Sequence, residues 1–345
     1  MDPVTVLHLV GSPTSDFYRE LSELYARGCV DAVRDDQRYR FVFAHLDPQG
    51  HWRFPLSLTA RAIEDAPPRT LAQAVDWLAH AAVDIALPQM FCERGVSDIR
   101  AVLDLLAIPY LGNRPMQMAI AADKTKAKAI VAAAGVAVPA AVLLHRGDSY
   151  DGPLPVVVKP NSADNSLGIA LVRDAEDLPA AIAAAQAHAE AVIVERFIPL
   201  GREVRCGVIE RGGERLCLPL EEYHVDAETR PIRNPADKLK RDDDGALMLA
   251  AKTQRESWIV AGDDPIIPAV HAAARAAHQA LGFRQYSLFD FRIDPDGRPW
   301  FLEAGPYCSF APDSVIVTMM TATGVPLAEF FATSIADVLA ASARG

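Results

Sequence analysis

The sequence predicts an α/β protein with more than one domain. Its 345 residues exceed what one hydrophobic core usually holds, so two or three domains are expected. Short apolar runs alternate with helical periodicity up to residue 113, which is typical of a doubly wound parallel sheet. Beyond that point strands outnumber helices, which predicts an α+β architecture. We therefore predict a domain over residues 1–113, a small α+β domain over residues 114–199 and a C-terminal domain over residues 200–345.

Strand and helix patterns alternate through the first predicted domain. The expected strands cover residues 4–10, 39–46, 84–90 and 108–111. One expected helix follows the loop after the first strand and ends near residue 33. Two others cover residues 70–83 and 97–106. The loop at residues 11–16 follows the first strand, at the edge where such sheets bind ligands. Because this loop lacks a G-x-G-x-x-G fingerprint, it does not indicate dinucleotide binding.

The rest of the chain is richer in strands. The expected helices cover residues 116–134, 175–189, 265–281 and 326–341. The expected strands cover residues 140–144, 154–159, 169–172 and 191–198, with further strands over residues 201–225 and a hairpin over residues 286–305. Residues 226–264 are charged and lack clear periodicity, and a loop of that length is usually functional or disordered.

Composition excludes several classes of protein. A net charge of −11 disfavours a nucleic-acid partner, because the phosphates would be repelled. No apolar run is long enough to span a membrane, and the N-terminus lacks the basic region of a signal peptide. The five cysteines are scattered and contain no C-x-x-C pair, so we expect reduced cytoplasmic thiols and no zinc site.

The hairpin at residues 286–305 is the first candidate site. Apolar residues alternate along its first strand with Asp290 and Arg292, and a Pro-Asp-Gly turn leads into a second apolar strand. Antiparallel pairing brings Asp290 close to Glu303. Two acids among apolar neighbours need a cation, and Mg²⁺ prefers one or two carboxylates plus phosphate oxygens. A surface hairpin whose acids face solvent is the equal alternative.

Three further segments suit a nucleotide. Lys159 ends a buried strand, and the small residues of loop 161–168 would let backbone N–H groups approach an anion; an ordinary hairpin loop is the alternative. The basic run at residues 123–128 lies on a predicted helix, where a solvated face is the usual interpretation. The strand entering Glu195 offers backbone groups and an apolar wall to a flat ring such as adenine, and Glu203 could accept hydrogen bonds from a sugar; a plain strand and turn would look the same.

Taken in order, these segments resemble the ATP-grasp superfamily, and most closely its D-alanine–D-alanine ligase-like branch. The pattern is a helix with Asp-Lys, a strand ending V-V-V-K-P-N, a strand ending V-I-V-E-R-F-I before G-R-E-V, and the hairpin F-D-F…F-L-E-A-G. The resemblance extends from the loop at Gly11 to the final helix, with its core at residues 116–305. It implies an ATP-grasp fold and an enzyme that joins a carboxylate to an amine through an acyl phosphate, using ATP and Mg²⁺.

The resemblance also implies roles for individual residues. Lys124 and Lys159 would contact phosphates, and Asp290 and Glu303 would be two of three Mg²⁺ ligands. The remaining nucleotide-binding positions are Ser162, Asn165, Ser166 and Gly168 in the mobile loop, Glu195, Arg196, Phe197 and Ile198 in the adenine hinge, and Glu203 at the ribose.

On the substrate side, Asp16 corresponds to the acid that holds the first amino group, and Ser314 to the serine that binds the second carboxylate. Lys240 lies where the family carries a segment that closes over substrate, and in relatives one such lysine often reaches the γ-phosphate. A solvated charged tail is the alternative. Two positions depart from the family pattern: Gly305 replaces an asparagine metal ligand, and Leu288 replaces an arginine that holds the acyl phosphate. Arg292, on the same strand face as Asp290, could compensate for that arginine.

From these departures we expect a specialised ligase of secondary metabolism that joins amino acids or amino-acid-like metabolites. The alternatives are a cell-wall D-alanine–D-alanine ligase and a non-catalytic nucleotide-binding protein. The expected partners are small molecules, with neither nucleic acid nor membrane. The cysteines indicate the cytoplasm, and the resemblance implies a homodimer.

Overall fold

A computed structural model describes residues 2–162, 168–233, 239–241, 247–249 and 256–343. The chain divides into two compact units. The first unit comprises Met1–Ala119, Arg284–Tyr286 and Tyr307–Gly345, and the second comprises Ile120–Phe283 and Ser287–Pro306.

The division into three domains at residues 1–113, 114–199 and 200–345 stays a prediction beside these two units. Residues 307–345, which we expected in the C-terminal domain, belong to the first unit. The reason is a long-range contact: the ring of Phe331 packs edge-on against Tyr39, with centroids 5.4 Å apart. Residues 120–199 of the predicted small domain lie in the second unit, together with residues 200–283 and 287–306 of the predicted C-terminal domain.

The first unit is built on a four-stranded sheet in the order β3-β2-β1-β4. Its strands are β1 (Val4–Gly11), β2 (Tyr39–Leu46), β3 (Trp52–Arg53) and β4 (Ile85–Pro88). Strand β1 pairs in parallel with β2 and β4, as predicted, while the short β3 is antiparallel to β2. The predicted strand at residues 108–111 forms only an isolated bridge between Ala86 and Tyr110, because Pro109 has no N–H to extend the ladder.

Helices surround this sheet within the same unit. They are α1 (Asp16–Val33), α2 (Ala60–Asp65), α3 (Leu71–His80), α4 (Glu93–Val96) and α5 (Asp98–Leu105), with α10 (Val315–Ala322) and α11 (Leu327–Ser342) near the end of the chain. Ser15 caps α1 by accepting a hydrogen bond from the Tyr18 N–H. Thr70 and Gln73 form a reciprocal capping box at α3, which fixes the start of that helix.

The second unit contains two larger sheets and a short hairpin. Strands β5 (Ala141–Leu144), β6 (Val156–Pro160), β7 (Ala170–Val172) and β8 (Val192–Arg196) form an antiparallel sheet in the order β5-β8-β6-β7. Strands β9 (Arg202–Arg211), β11 (Glu221–Tyr223), β14 (Ser257–Ile259), β15 (Tyr286–Ile293) and β16 (Pro299–Ala304) form a sheet in the order β14-β11-β9-β15-β16, and β10 (Glu214–Cys217) pairs with β9. Strands β12 (Leu239–Arg241) and β13 (Leu247–Leu249) pair only with each other among the described residues.

The single helix predicted over residues 116–134 is two helices. They are α6 (Pro115–Ala122) and α7 (Lys124–Ala133); the other helices of this part of the chain are α8 (Leu178–Gln186) and α9 (Ile267–Ala280). Asp123 separates α6 from α7 because its carboxylate caps α7, accepting from the Lys126 N–H at 3.0 Å. The prediction failed here because alanine-rich sequence carries no periodicity that reveals such a break.

A phenylalanine cluster holds the hairpin β15–β16 in the second unit. Phe289, Phe291 and Phe301 are completely buried and contact one another. Each buried ring contributes about 1.5–3 kcal/mol relative to an exposed one. This core anchors one face of the hairpin and leaves the other face to carry Asp290 and Arg292.

Among the described helices, none alone has the length and hydropathy needed to cross a membrane. The pair α10 and α11 passes that test only when taken together, and a 107° bend separates the two helices.

Candidate active site

Two carboxylates face each other across the hairpin. Asp290 on β15 and Glu303 on β16 are register partners in the antiparallel ladder, with a bulge immediately after Asp290. Burial raises the pKa of Asp290 above its ordinary value; the Arg205 guanidinium opposes that rise and Glu303 adds to it. The alternation that predicted this pair depends only on local sequence.

Two arginines that sequence reasoning missed contact Asp290. Arg205 donates from Nε to Oδ1 at 2.5 Å and from Nη2 to Oδ2 at 3.1 Å. Arg233 lies 3.9 Å from Oδ2 and stacks over the Tyr223 ring, 3.7 Å from its centroid. A signal for Arg205 existed: it lies two residues after Glu203 on β9 and therefore shares its strand face.

The carboxylates of Asp290 and Glu303 fit a hard divalent cation. A carboxylate has about four lone-pair sites, so Arg205 leaves acceptor capacity on Asp290. Two acids held side by side repel each other, and a cation with oxygen preference relieves that repulsion. Gly305 has no side-chain oxygen for this purpose, and its N–H donates to the Leu288 carbonyl at 2.8 Å.

A buried cluster of lysines surrounds Glu195 in the same unit. Lys159 lies 2.6 Å and Lys128 lies 3.0 Å from its carboxylate oxygens. Burial lowers the pKa of Lys128 to about 8, although Glu195 opposes this shift. Burial would also raise the pKa of Glu195, but the two ammonium groups outweigh it and the net shift is downward. Lys124 lies 3.9 Å from Glu303, so three lysines and two acids leave an excess of positive charge suited to phosphate.

Lys128 is a third residue that sequence reasoning missed. It lies four residues after Lys124 on α7, on the same helix face, and donates to the Phe301 carbonyl at 3.2 Å. The spacing was visible in the sequence, where a solvated basic face was the competing interpretation. Lys128 is 4% exposed, so the helix turns this lysine into the unit and away from solvent.

One open pocket lies within the second unit, with a volume of about 760 Å³ that includes its mouth. Several of these residues line it, but Lys128 and Arg205 do not. Its lining includes both hairpin acids and most of the predicted nucleotide-binding positions. The predicted residues among them are Lys124, Lys159, Glu195, Arg196, Phe197, Ile198, Glu203, Asp290, Arg292 and Glu303. Val157, Ile169 and Leu302 add apolar wall, which together with the charged groups gives a pocket suited to a ligand with a flat apolar end and an anionic end.

Arg292 connects the predicted hinge to the predicted ribose acid. Its Nη2 donates to Glu203 at 2.8 Å and to the Pro231 carbonyl at 2.7 Å, and its Nη1 donates to the Ile198 carbonyl at 3.2 Å. The guanidinium groups that contact Asp290 are those of Arg205 and Arg233. The hydrogen bonds of Arg292 go to Glu203, Ile198 and Pro231.

Within the predicted phosphate-covering loop, Ser162 is exposed and Gly168 has φ +65°. A Cβ at Gly168 would lie 2.8 Å from the His188 ring, so both the backbone conformation and the space favour glycine. Asn165 and Ser166 lie outside the described residues. Lys240 is in β12, and its side chain also lies outside what the structure describes.

The two predicted substrate residues belong to the first unit. Asp16 is in the first turn of α1, 70% exposed at its side chain and 3.0 Å from Arg19. Ser314 occupies the N-cap position of α10, with Oγ 3.7 Å from the Cys308 sulfur.

Comparison with known proteins identifies the family. Residues 131–336 match the family model described as D-ala D-ala ligase C-terminus. The D-alanine–D-alanine ligase of Halalkalibacterium halodurans is 31% identical in an alignment of 252 residues, which covers 68% of this chain and 75% of that relative. The D-alanine–D-alanine ligase of Mycobacterium tuberculosis strain H37Rv is 30% identical in an alignment of 362 residues, gaps included, which covers 92% of this chain and 93% of the relative.

Solved structures agree on the fold. The VanG D-Ala:D-Ser ligase from Enterococcus faecalis superimposes with a TM-score of 0.77 at 22% identity, covering 97% of this chain and 99% of that one. The D-alanine–D-alanine ligase from Bacillus anthracis complexed with ATP gives a TM-score of 0.72 at 19% identity, covering 99% of each chain. The predicted fold class and the resemblance to the ATP-grasp superfamily are thereby confirmed. The chain belongs to the D-alanine–D-alanine ligase family, whose members are ATP- and Mg²⁺-dependent, ADP-forming ligases of ATP-grasp fold that make a carbon–nitrogen bond.

Proposed function

We propose that this protein is a D-alanine–D-alanine ligase that joins two molecules of D-alanine at the expense of ATP. The relatives that cover more than nine-tenths of the chain carry this activity in their names. The observation that carries the proposal is the register pairing of Asp290 with Glu303 in a pocket that also contains Lys124 and Lys159.

In the proposed complex the second unit binds the nucleotide. Residues 195–198 border the adenine, the Glu203 carboxylate accepts from the ribose hydroxyls, and Lys124 and Lys159 approach the phosphates. Asp290 and Glu303 hold Mg²⁺, which supplies positive charge to the phosphoryl group as it is transferred. The loop at residues 161–168, which includes Ser162, is the proposed cover that excludes water from the activated acid.

The charged contacts inside the pocket position these groups. Glu195 holds Lys159 by a 2.6 Å ion pair, so the ammonium is oriented before a phosphate arrives. Arg292 fixes Glu203 relative to the Ile198 carbonyl. Arg205 is placed to stabilise negative charge that develops beside Asp290. These contacts support a preorganised site.

The substrate roles complete the proposal. Asp16 binds the amino group of the first amino acid, and Ser314 binds the carboxylate of the second. Lys240 reaches the γ-phosphate, and the first carboxylate is activated as an acyl phosphate before the amine attacks. Arg292 is a further catalytic candidate, and its contacts with Glu203 and the Ile198 carbonyl favour a positioning role.

A second candidate is a ligase with a different second amino acid. Two departures favour it: Leu288 and Gly305 replace side chains that are polar in the family pattern. The comparisons favour D-alanine–D-alanine ligase over the specialised enzyme of secondary metabolism expected from the sequence. Leu288 and Gly305 therefore bear on which amino acids the enzyme accepts and leave its family unchanged.

Amino-acid-dependent ADP release tests the proposal. We expect ADP with D-alanine alone, and mass spectrometry should identify D-alanyl-D-alanine as the product. ADP release that requires another amino acid beside D-alanine would support the second candidate. No ADP with any amino-acid pair would contradict both.

A substitution in the hairpin tests the metal assignment. Glu303→Gln should lower kcat by at least roughly 100-fold, because one negatively charged metal ligand is lost. Glu329→Gln, at an exposed position of α11, is the matched control and should leave kcat unchanged. Full activity of Glu303→Gln would remove Glu303 from the metal site.

We further propose that the protein is located in the cytoplasm and assembles as a homodimer. Five free cysteines support a reducing compartment, and the homodimer follows from the family resemblance. Light scattering of the purified protein measures the assembly directly.

A further inference from the structure

Two cysteines and a histidine of the second unit converge away from the pocket. The sulfur atoms of Cys206 and Cys217 and one ring nitrogen of His271 all lie within 4.8 Å of one another. Cys206 is on β9, Cys217 is on β10 and His271 is on α9. The sequence predicted no zinc site because these residues are distant along the chain and match no spacing motif.

Strand alternation separates this cluster from the candidate active site. Cys217 pairs with Val208 in the β9–β10 ladder, and Cys206 lies two residues from Val208 on the same strand face. Glu203 and Arg205 project from the opposite face of β9. The Cys217 thiol reaches α9 and donates to the His271 carbonyl at 3.5 Å.

The polar contacts of the cluster favour metal ligation. Arg275, one turn after His271, donates from Nη1 to the Cys217 sulfur at 3.4 Å, which favours a negatively charged sulfur. His271 Nε2 lies 3.2 Å from the Leu218 carbonyl. Because a carbonyl only accepts, this contact puts the proton on Nε2 and leaves a lone pair on Nδ1. Metal-binding histidines commonly hold their second nitrogen in this way.

We propose that Cys206, Cys217 and His271 form a binding site for a thiophilic divalent ion, with zinc as the best fit. Thiolate sulfur and imidazole nitrogen are the ligands zinc prefers, and tetrahedral bonds of about 2.0–2.3 Å put donor atoms roughly 3.5–3.8 Å apart. Because the three donor atoms lie within 4.8 Å of one another, reaching that spacing requires a contraction of at most about 1.3 Å. The fourth position is open to water.

The charge of the two thiolates and the access of the cluster to solvent also suit a divalent ion. Binding displaces the two thiol protons, and the resulting thiolates balance the charge of a divalent ion beside a neutral imidazole. Cys206 is completely buried, while Cys217 and His271 are partly exposed and provide a route from solvent. The ion would join β9, β10 and α9, so its role is structural and independent of the proposed ligase reaction.

Cobalt is the probe that reports thiolate ligation directly. The full-length protein is reduced with a phosphine, freed of metal by a chelator and titrated with Co²⁺ in excess Mg²⁺. We expect one equivalent to bind with thiolate-to-cobalt charge-transfer absorbance and intense tetrahedral d–d bands, both abolished by added Zn²⁺. Cobalt held only by Asp290 and Glu303 would lack the charge-transfer band.

Variants localise the site. Cys217→Ser and His271→Ala should each weaken binding by at least roughly 100-fold, and Arg275→Met by about tenfold, as expected for a group that contacts a ligand. His80→Ala, at an exposed histidine, and Cys29→Ser, in the other unit, are the controls and should retain the cobalt spectrum.

Three outcomes would overturn the proposal. The first is a wild-type protein without a charge-transfer band, and the second is a band of full intensity in both Cys217→Ser and His271→Ala. The third is a mass two hydrogens lower in untreated protein, with the linkage mapped to Cys206–Cys217 and no metal bound after reduction, because the pair would then be a disulfide. If Cys217→Ser fails to fold, His271→Ala and Arg275→Met carry the test.

Discussion

Arg205 donates to both carboxylate oxygens of Asp290, at 2.5 Å and 3.1 Å. The pair is largely buried, and Asp290 also faces Glu303 across the hairpin. Arg205 therefore neutralises an acid that is otherwise costly to bury beside another acid. A bound divalent cation would also neutralise the charge of Asp290, so the effect of Arg205 on stability should depend on whether a metal ion is bound.

The first prediction follows from that pair. Arg205→Met should lower the free energy of unfolding by about 3 kcal/mol without Mg²⁺, because Asp290 loses its closest cation. Saturating Mg²⁺ should restore part of the loss by supplying the missing charge. Denaturant unfolding with and without Mg²⁺ measures both effects, and Arg205→Lys, which keeps the charge, is the control. An equal loss in the two conditions would separate Arg205 from the metal site.

The second prediction concerns Lys128, whose pKa burial lowers to about 8. Between pH 8 and its ordinary pKa of 10.5 the unfolded chain holds more protons at this lysine than the native protein does. The contribution of Lys128 to stability must therefore rise with pH across that window.

Comparison with Lys128→Met isolates this contribution from those of all other titrating groups. The wild-type protein should gain stability relative to the variant from pH 8 to 10, as measured by urea unfolding. Lys126→Met, at an exposed position on the same helix, is the control. A constant difference between wild type and Lys128→Met would mean that the lysine keeps its ordinary pKa.

Local sequence was sufficient for the parts of the site that depend on a single hairpin or strand. Asp290 and Glu303 follow from alternation and one turn, and Lys159 follows from the end of a buried strand. Arg205 required knowledge that β9 and β15 are neighbours in one sheet, which no local pattern provides. The convergence of Cys206, Cys217 and His271 could not be predicted for the same reason, because these residues meet only after a sheet and a helix have packed.

Neither the break between α6 and α7 nor the grouping of α11 with the first unit was predicted, for related reasons. Asp123 divides one predicted helix because its side chain caps α7, and an acidic residue in a basic, alanine-rich run gave no clear sign of that. Assignment of α11 to the first unit depends on Phe331 contacting Tyr39, residues nearly a full chain apart. Long-range contacts of this kind have no signature in amphipathic periodicity.

The third prediction concerns acid stability of the first unit. Glu23 is 10% exposed at its side chain and contacts His45 Nε2 at 2.9 Å and Arg19 at 2.9 Å. Burial would raise the pKa of Glu23, but hydrogen bonding and charge from His45 and Arg19 outweigh it and lower the pKa to about 2.

A lowered carboxyl pKa stabilises the folded state above pH 4.5, and this stability disappears as the pH falls toward 2. The full effect is about 3 kcal/mol. Glu23→Gln should therefore be less stable than wild type at pH 6, and the two should converge near pH 2, as measured by denaturant unfolding at each pH. Glu20→Gln, whose side chain is 30% exposed, is the control; a gap that persists at pH 2 would contradict the ion-pair origin.

The fourth prediction separates positioning from catalysis at Arg292. Its guanidinium holds Glu203 and the Ile198 carbonyl, both in the proposed nucleotide-binding wall. Arg292→Met should therefore raise the KM for ATP by about tenfold, the cost of one charged hydrogen bond, and leave kcat within a factor of two or so. Direct nucleotide binding by calorimetry should weaken by the same factor. Arg298→Met, at an exposed arginine of the same hairpin, should change neither quantity. A fall in kcat without a change in nucleotide affinity would instead place Arg292 at the reacting atoms, because an interaction made only in the transition state affects kcat alone.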